Sequence, residues 1–62
     1  MRGIELRKLR AEAGITQVEL AAFLGVTQPT VSSMENRERV GDLLSRRVIR
    51  AIEEMAHQKT AA

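Results

Sequence analysis

The stretch that decides the fold is TQVELAAFLGVTQPTVSSMEN, residues 16–36, in which two short helix-like runs flank Gly25. Two helices joined by about three residues cross at roughly 90–120°. Such a crossing needs a small side chain where the helices touch, a turn residue that tolerates positive φ, and an apolar residue that closes the corner. Ala21, Gly25 and Val26 meet these requirements at consistent spacings. The stretch therefore predicts a helix, a tight turn and a second helix.

Capping signals place the ends of both helices. Thr16, followed three residues later by Glu19, predicts an N-cap and capping box for a helix over residues 17–24, which ends at Gly25. Thr27 is placed to cap the next helix, and Pro29 falls in its first turn, where a missing N–H costs little. We expect this second helix to end near residue 36.

The rest of the chain also has helical periodicity. A first helix is predicted over about residues 3–13, before Gly14, and a last helix from Asp42 or Ser45 onward. No useful period-2 pattern is present, so the predicted fold class is all-α. The expected core positions are Leu6, Leu9 and Ala13, then Leu20, Ala21 and Leu24, then Val31 and Met34, and finally Leu44, Val48, Ile52 and Met55. We predict one domain over residues 1–57 and a frayed tail over residues 58–62.

Composition excludes several classes of function. The 62 residues include no Cys, so disulfides and thiolate metal sites are excluded, and the one His lies in the polar C-terminal part. The longest apolar run, residues 20–26, is far shorter than the ~20 residues that span a bilayer. The charged N-terminus lacks a signal-peptide pattern. We therefore expect a cytoplasmic protein with no membrane partner, metal, cofactor or small-molecule ligand, and no nucleophile–base pair that would make it an enzyme.

Charge is distributed unevenly along the chain. Ten Lys and Arg against eight Asp and Glu give a formal charge of only +2. No Lys or Arg occurs between residues 11 and 35, although cations flank this segment on both sides. They are Arg2, Arg7, Lys8 and Arg10 before it and Arg37, Arg39, Arg46, Arg47 and Arg50 after it. The net charge is a weak argument for a polyanion partner, but its distribution brackets a neutral hydrogen-bonding segment with cationic ones.

From residue 6 to about residue 39, and more loosely to residue 55, the chain resembles the Cro/phage-repressor (XRE-type) helix-turn-helix family. The segment that carries the resemblance is LRKLRAEAGITQVELAAFLGVTQPTVSSMEN, residues 6–36. The matching positions are Gln17, Ala21, Gly25, Val26, Val31 and Glu35. The resemblance implies a compact lambda-repressor-like domain of four to five helices, with the helix-turn-helix at helices 2 and 3.

The resemblance also implies a DNA-binding site, because in this family the second helix of the motif enters the major groove. The implied base-contacting residues are Thr27, Gln28, Pro29, Ser32 and Ser33. The implied phosphate-contacting residues are Gln17, Thr30, Asn36, Arg37 and Arg39. The family often pairs an arginine of the first helix with the glutamate of the third, so Arg10 and Glu35 are expected to form a structural ion pair. Many members have Gly after Asn36, where this chain has Arg37, so we expect the left-handed C-cap on Asn36.

The apolar arc of the last helix is wider than one core stripe, which predicts a homodimer on a palindromic DNA operator. The expected interface residues are Leu43, Ile49, Ile52, Met55 and Ala56. The leading functional hypothesis is a transcriptional repressor, whether a phage switch protein, a restriction–modification controller or an antitoxin that represses its own operon. The alternative is an antitoxin-type or protein-binding module that uses the fold mainly for a protein partner. Such a module should expose Leu, Phe or Tyr on the recognition helix, whereas this one carries Thr, Gln and Ser.

Overall fold

The computed structural model describes residues 1–60. These residues form four α-helices: α1 (Gly3–Glu12), α2 (Gln17–Leu24), α3 (Gln28–Asn36) and α4 (Asp42–Thr60). No strand occurs in the described part of the chain, so the all-α prediction is confirmed. Helix α2 has the predicted bounds, and α4 begins at the earlier of the two predicted starts, Asp42.

The turn between α2 and α3 has the local geometry that the sequence predicts. The Thr16 hydroxyl accepts a bond of 3.1 Å from the Glu19 amide, and the Glu19 carboxylate accepts one of 2.9 Å from the Thr16 amide. Gly25 ends α2 in the left-handed region at φ 74°, where a side chain would be strained. The predicted capping box and the predicted turn glycine are both confirmed.

Two apolar positions are less buried than the periodicity predicts. Val26 keeps 39% of its surface exposed, so it does not close the corner of the turn as expected. Leu9 keeps 36% exposed, because α1 turns Leu6 towards the core and leaves Leu9 at the edge of that face. The core comprises Leu6, Ile15, Leu20, Ala21, Val31, Met34, Val40, Val48, Ala51, Ile52 and Met55, with Ala13, Leu24, Leu44 and Ile49 packed against it.

The start of α1 packs directly on the end of α3. The amide of Gly3 donates to the carbonyl oxygen of Arg37 over 3.0 Å. A Cβ at Gly3 would lie 2.5–2.6 Å from the carbonyl oxygens of Met34, Glu35 and Arg37. Only a residue without a side chain permits this approach, which brings the positive end of the α1 dipole to the negative end of α3.

Helix α3 ends at Asn36 as predicted, but the backbone there has a different conformation from the predicted one. Asn36 belongs to the helix, and the C-cap residue Arg37 is extended at φ −72° and ψ 141°. Among residues 1–60, positive φ occurs only at glycines, so the expected left-handed Asn36 was wrong. The hydrogen bond from the Gly3 amide holds the Arg37 carbonyl in this conformation. Gly3 is too distant in sequence for a local pattern around Arg37 to reveal this bond.

The end of α4 is anchored rather than frayed as far as it is described. Helix α4 continues to Thr60, and the Lys59 ammonium donates to the carbonyl oxygen of Gly14. It also lies 3.5 Å from the Glu19 carboxylate. The last turn of α4 is thereby tied to the turn between α1 and α2. The remainder of the predicted tail, residues 61–62, lies outside the described residues.

The five residues predicted at a dimer interface do not form one surface. Ile52 and Met55 are buried in the core of the single chain, so their assignment to an interface was wrong. Leu43 is 70% exposed, whereas Ile49 and Ala56 are half-buried. At about 100° per residue, Ile49 and Ala56 share one side of α4 and Leu43 lies about 120° away from Ile49. Only Ile49 and Ala56 remain together.

Candidate nucleic-acid interface

One side of α3 carries the base-reading residues that the resemblance implies. Thr27, Gln28, Pro29, Thr30 and Ser33 are exposed, and Ser32 is half-buried. The opposite side buries Val31, Met34 and Glu35 in the body of the domain. Helix α3 therefore presents a row of uncharged polar groups outward over its first two turns.

The two threonines at the start of α3 are joined to each other. Their hydroxyl oxygens lie 2.9 Å apart, and Thr27 makes no side-chain capping bond to the backbone. The backbone carbonyl of Thr27 instead accepts from the amides of Thr30 and Val31, at 3.1 and 3.3 Å. One hydroxyl hydrogen is used between the threonines, so the pair presents one remaining donor and two methyl groups at the surface.

Behind this surface, Arg10 of α1 and Glu35 of α3 form the expected ion pair. Arg10 Nε donates to Glu35 Oε2 over 2.6 Å, and Arg10 Nη2 donates to Oε1 over 3.1 Å. Arg10 Nη1 also donates to the carbonyl oxygen of Ile15 over 2.7 Å. The side chains keep only 13% and 4% of their surface exposed. The pair ties together α1, the turn that follows α1, and α3.

The charge state of Glu35 follows from these contacts. Burial alone raises the pKa of the Glu35 carboxyl, but hydrogen bonds from Arg10 and Gln17 and the positive charges of Arg10 and Arg7 lower it by more. The net pKa lies below the ordinary value. At neutral pH, Glu35 is therefore a carboxylate, which accepts hydrogen bonds and donates none.

Gln17 connects the ion pair to the outer surface of α3. Its Nε2 donates to Glu35 Oε1 over 2.9 Å, and its Oε1 accepts from Gln28 Nε2 over 3.4 Å. The side chain is half-buried. Sequence reasoning placed Gln17 only among the phosphate contacts and missed this bridge. The signal was indirect, since Glu35 and Gln28 lie seven residues apart on one side of α3, and Gln17 bridges them only once α2 packs against that side.

Cations lie where the chain leaves α3. Asn36, Arg37 and Arg39 are all exposed, as a phosphate-contacting role requires. Arg2 lines one surface cleft together with Arg39. Glu5 and Glu38 line the same cleft. The sequence alone did not place Arg2 beside Arg39. The two come together through a backbone hydrogen bond between their neighbours, in which the Val40 amide donates to the Met1 carbonyl oxygen over 2.7 Å.

Within residues 1–60, no group of three or more His, Cys, Asp or Glu side chains is placed to hold a metal ion. The helices of this part of the chain are all too short or too polar to cross a membrane. Every buried side-chain nitrogen or oxygen of the described residues has a hydrogen-bond partner.

Comparison with known proteins gives one match. A family model described as Helix-turn-helix matches residues 6–53, from α1 into the second half of α4. No curated protein and no solved structure gives a significant match. Members of this family bind DNA and are typically not enzymes. The family match covers most of the chain, and it agrees with the α2–α3 turn and with the exposed face of α3. The chain therefore belongs to the Cro/phage-repressor (XRE-type) helix-turn-helix family and is a DNA-binding regulator.

Proposed function

We propose that the protein is a sequence-specific transcriptional repressor that inserts its recognition helix, residues 27–36, into the major groove of double-stranded DNA. The observation that carries the proposal is the exposed, uncharged polar side of α3, followed directly by exposed arginines. Neutral side chains can meet base edges without the cost of desolvating an unpaired ion. Arginines beside them can bind phosphates and fix the register on the duplex.

Base readout is assigned to the first two turns of α3. Gln28 can donate to adenine N7 and accept from adenine N6 at once, which is a bidentate contact. The methyl group of Thr27 and the ring of Pro29 can each contact a thymine methyl. Ser32 and Ser33 can bond either a base or a phosphate. Ser32 is half-buried, so we expect Ser33 to contribute more than Ser32.

Phosphate contacts are assigned to the two ends of the motif. Gln17 lies at the start of α2, where its backbone amide and the helix dipole favour an anion. Its side chain is bonded to Glu35 and Gln28, so we assign the phosphate contact to the backbone amide. The other proposed contacts are Thr30, Asn36, Arg37 and Arg39, all exposed. Because each neutralised phosphate releases counterions, binding should weaken steeply as salt rises.

We also propose that the repressor acts in the cytoplasm as a homodimer on a palindromic operator. One domain makes few base contacts, and a two-fold dimer places two recognition helices about 34 Å apart, one helical turn of DNA. Ile49 and Ala56 on one side of α4 are the residues we assign to the interface. Leu43 is a separate exposed apolar residue.

A second candidate function, binding of a protein partner in the manner of an antitoxin, is favoured by a different surface. Val18 and Phe23 of α2 are 59% and 43% exposed. The exposed side of α3 carries no Leu, Phe or Tyr. A protein partner would therefore be expected on α2 and would leave the polar side of α3 unexplained.

The deciding experiment is selection of binding sites from a random-sequence duplex library, first with the wild-type chain and then with Gln28→Ala. We expect wild type to enrich a palindromic site. Gln28→Ala should lose preference at one base pair of each half-site and retain its non-specific affinity. Recovery of no enriched sequence at low salt would contradict DNA recognition. Uniform weakening by Gln28→Ala across all sequences would make Gln28 a backbone contact.

A further inference from the structure

We propose that Glu35, although it lies in the core, is a positioning residue that determines which base Gln28 reads. The inference rests on the proposed function, in which the exposed side of α3 faces base edges. It is carried by the unbroken chain of side-chain hydrogen bonds from Arg10 through Glu35 and Gln17 to Gln28. This series of hydrogen bonds runs from an almost fully buried ion pair to the first turn of the recognition helix.

The first step fixes the orientation of Gln17. Both oxygens of Glu35 already accept from Arg10, and the buried carboxylate has no hydrogen to donate. The Gln17 amide, 2.9 Å away, can bond it only by turning its NH₂ group inward. The oxygen of the same amide must then point outward. Glu35 thus sets which end of Gln17 reaches the DNA-facing side.

The second step fixes the orientation of Gln28. The outward oxygen of Gln17 is an acceptor, so Gln28 must turn its NH₂ group towards it, as the 3.4 Å contact shows. One of the two N–H groups of Gln28 is then directed to Gln17. One N–H and one oxygen remain for a base.

The remaining groups of Gln28 distinguish adenine from guanine. In the major groove adenine presents one acceptor, N7, and one donor, N6–H, whereas guanine presents two acceptors, N7 and O6. One N–H and one oxygen match adenine. Guanine requires two N–H groups, and one of those is committed to Gln17. A carboxylate that touches no base therefore favours an A·T pair at the Gln28 position.

The sharpest test reverses this orientation with Glu35→Gln. The new amide keeps its single oxygen beside Arg10 Nε and places its NH₂ group beside Gln17, which removes the bond that Arg10 Nη2 donates to Oε1 in the wild type. Gln17 must then turn its oxygen inward and its NH₂ group outward. Gln28 in turn directs its oxygen to Gln17 and both N–H groups to the base. The preferred pair at this position should change from A·T to G·C, with a change of about 10-fold in relative affinity.

A second variant, Gln17→Leu, breaks this series of hydrogen bonds while leaving the Arg10–Glu35 pair in place, so an unchanged base preference in it overturns the inference even if Glu35→Gln fails to fold. Gln28 is then free to turn either way. We expect the preference for A·T over G·C to fall by about 10-fold at this base pair, with other positions of the site unaffected.

The measurement is competition binding with the site that wild type selects from a random duplex library, against the same duplex with the Gln28-dependent A·T pair replaced by G·C. Circular dichroism melts confirm that each variant is folded. Loss of the A·T preference in Gln17→Leu, and its reversal in folded Glu35→Gln, would support the inference. An unchanged preference in Gln17→Leu, or equal weakening on both duplexes, would overturn it while leaving the proposed function intact. Failure of wild type to select any site would overturn both.

Discussion

Within residues 1–60, two arginine–glutamate pairs lie in contrasting regions, the seam between α1 and α3 and the outer side of α4. Arg10 Nε lies 2.6 Å from Glu35 Oε2, and the side chains are 13% and 4% exposed. Arg50 Nε lies 3.5 Å from Glu54 Oε1, and the side chains are 83% and 52% exposed. The buried Arg10–Glu35 pair should therefore matter far more to the free energy of unfolding than the exposed Arg50–Glu54 pair. Burial and shared hydrogen bonds, rather than the count of ion pairs, decide what each contributes.

The two regions also differ in what they offer a polyanion. Helix α3 exposes uncharged groups with a charged network beneath them, and α4 exposes charges over an apolar stripe. On α4 the exposed charged residues are Asp42, Arg46, Arg47, Arg50, Glu53, Glu54 and Lys59. Strong hydration of these charges makes close contact with a base edge costly. We therefore assign α3 to base recognition and regard the outer side of α4 as solvated.

The largest expected effect comes from removing the cation of the buried pair. Arg10→Met leaves the Glu35 carboxylate buried with only Gln17 as a donor, and it also removes the bond to the Ile15 carbonyl. Breaking such a pair typically costs about 3–5 kcal/mol. In a domain of this size, that loss should be close to the whole free energy of unfolding. Urea denaturation followed by circular dichroism measures it, and a loss below about 1 kcal/mol would contradict the assigned weight of the seam.

A second large effect is expected where the seam depends on close backbone approach. Gly3→Ala places a methyl group 2.5–2.6 Å from three carbonyl oxygens at the end of α3, so the two helices must separate. Overpacking of this kind costs about 2–3 kcal/mol. Gly41→Ala is the matched control, because a Cβ there meets no atom within 4 Å. Equal melting temperatures for the two variants would show that the close contact of Gly3 with the end of α3 does not stabilise the fold.

Protonation of Glu35 should weaken the same seam by less than either substitution, because the carboxyl stays in place and can still accept from Arg10, although it no longer balances the guanidinium charge. The pKa of Glu35 in the folded chain lies below its ordinary value of 4.5, so ionisation stabilises the fold above that value. This stability should be lost as pH falls from about 4.5 through the lower folded pKa. Urea midpoints measured from pH 7 to pH 3 test it. In Arg10→Met the guanidinium no longer lowers the pKa of Glu35, so this loss of stability on acidification should shrink or reverse.

Local features of this fold were predictable from the sequence, and those set by distant contacts were not. The bounds of α2 follow from Thr16, Glu19 and Gly25, all within one or two turns of the helix ends they determine. The extended end of α3 depends on Gly3, which lies 34 residues before Arg37 in the chain. Hence capping patterns predicted the bounds of α2 and the last residue of α3 correctly, whereas the backbone conformation at the end of α3 was predicted wrongly.

The candidate site divides in the same way. Exposure of Ser33 follows from the helical period together with the buried Val31 and Met34. Gln28 lies seven residues before the buried Glu35, so the period alone does not predict its exposure. The orientation of the Gln17 amide could not be predicted, because it depends on Glu35, 18 residues further along the chain. The surface of α4 could not be predicted either, since Ile52 fits both a core stripe and an interface until the position of α1 is known.

The smallest effect is expected on the outer side of α4, and it completes the contrast between the two pairs. Arg50→Met removes the cation of an i, i+4 pair that is 83% and 52% exposed, so water replaces the lost contact on both sides. Pairs of this kind contribute about 0.3–0.5 kcal/mol, and added salt screens them further. Arg50→Met should therefore shift the urea midpoint only slightly, and less in high salt than in low salt. It should leave the sequence preference for DNA unchanged, because no hydrogen bond reaches from Arg50 to α3 among the contacts of residues 1–60. A loss of stability comparable to that of Arg10→Met would show that this side of α4 is covered by another surface, such as a second copy of the chain, and would move the proposed dimer interface from Ile49 and Ala56 to the charged side.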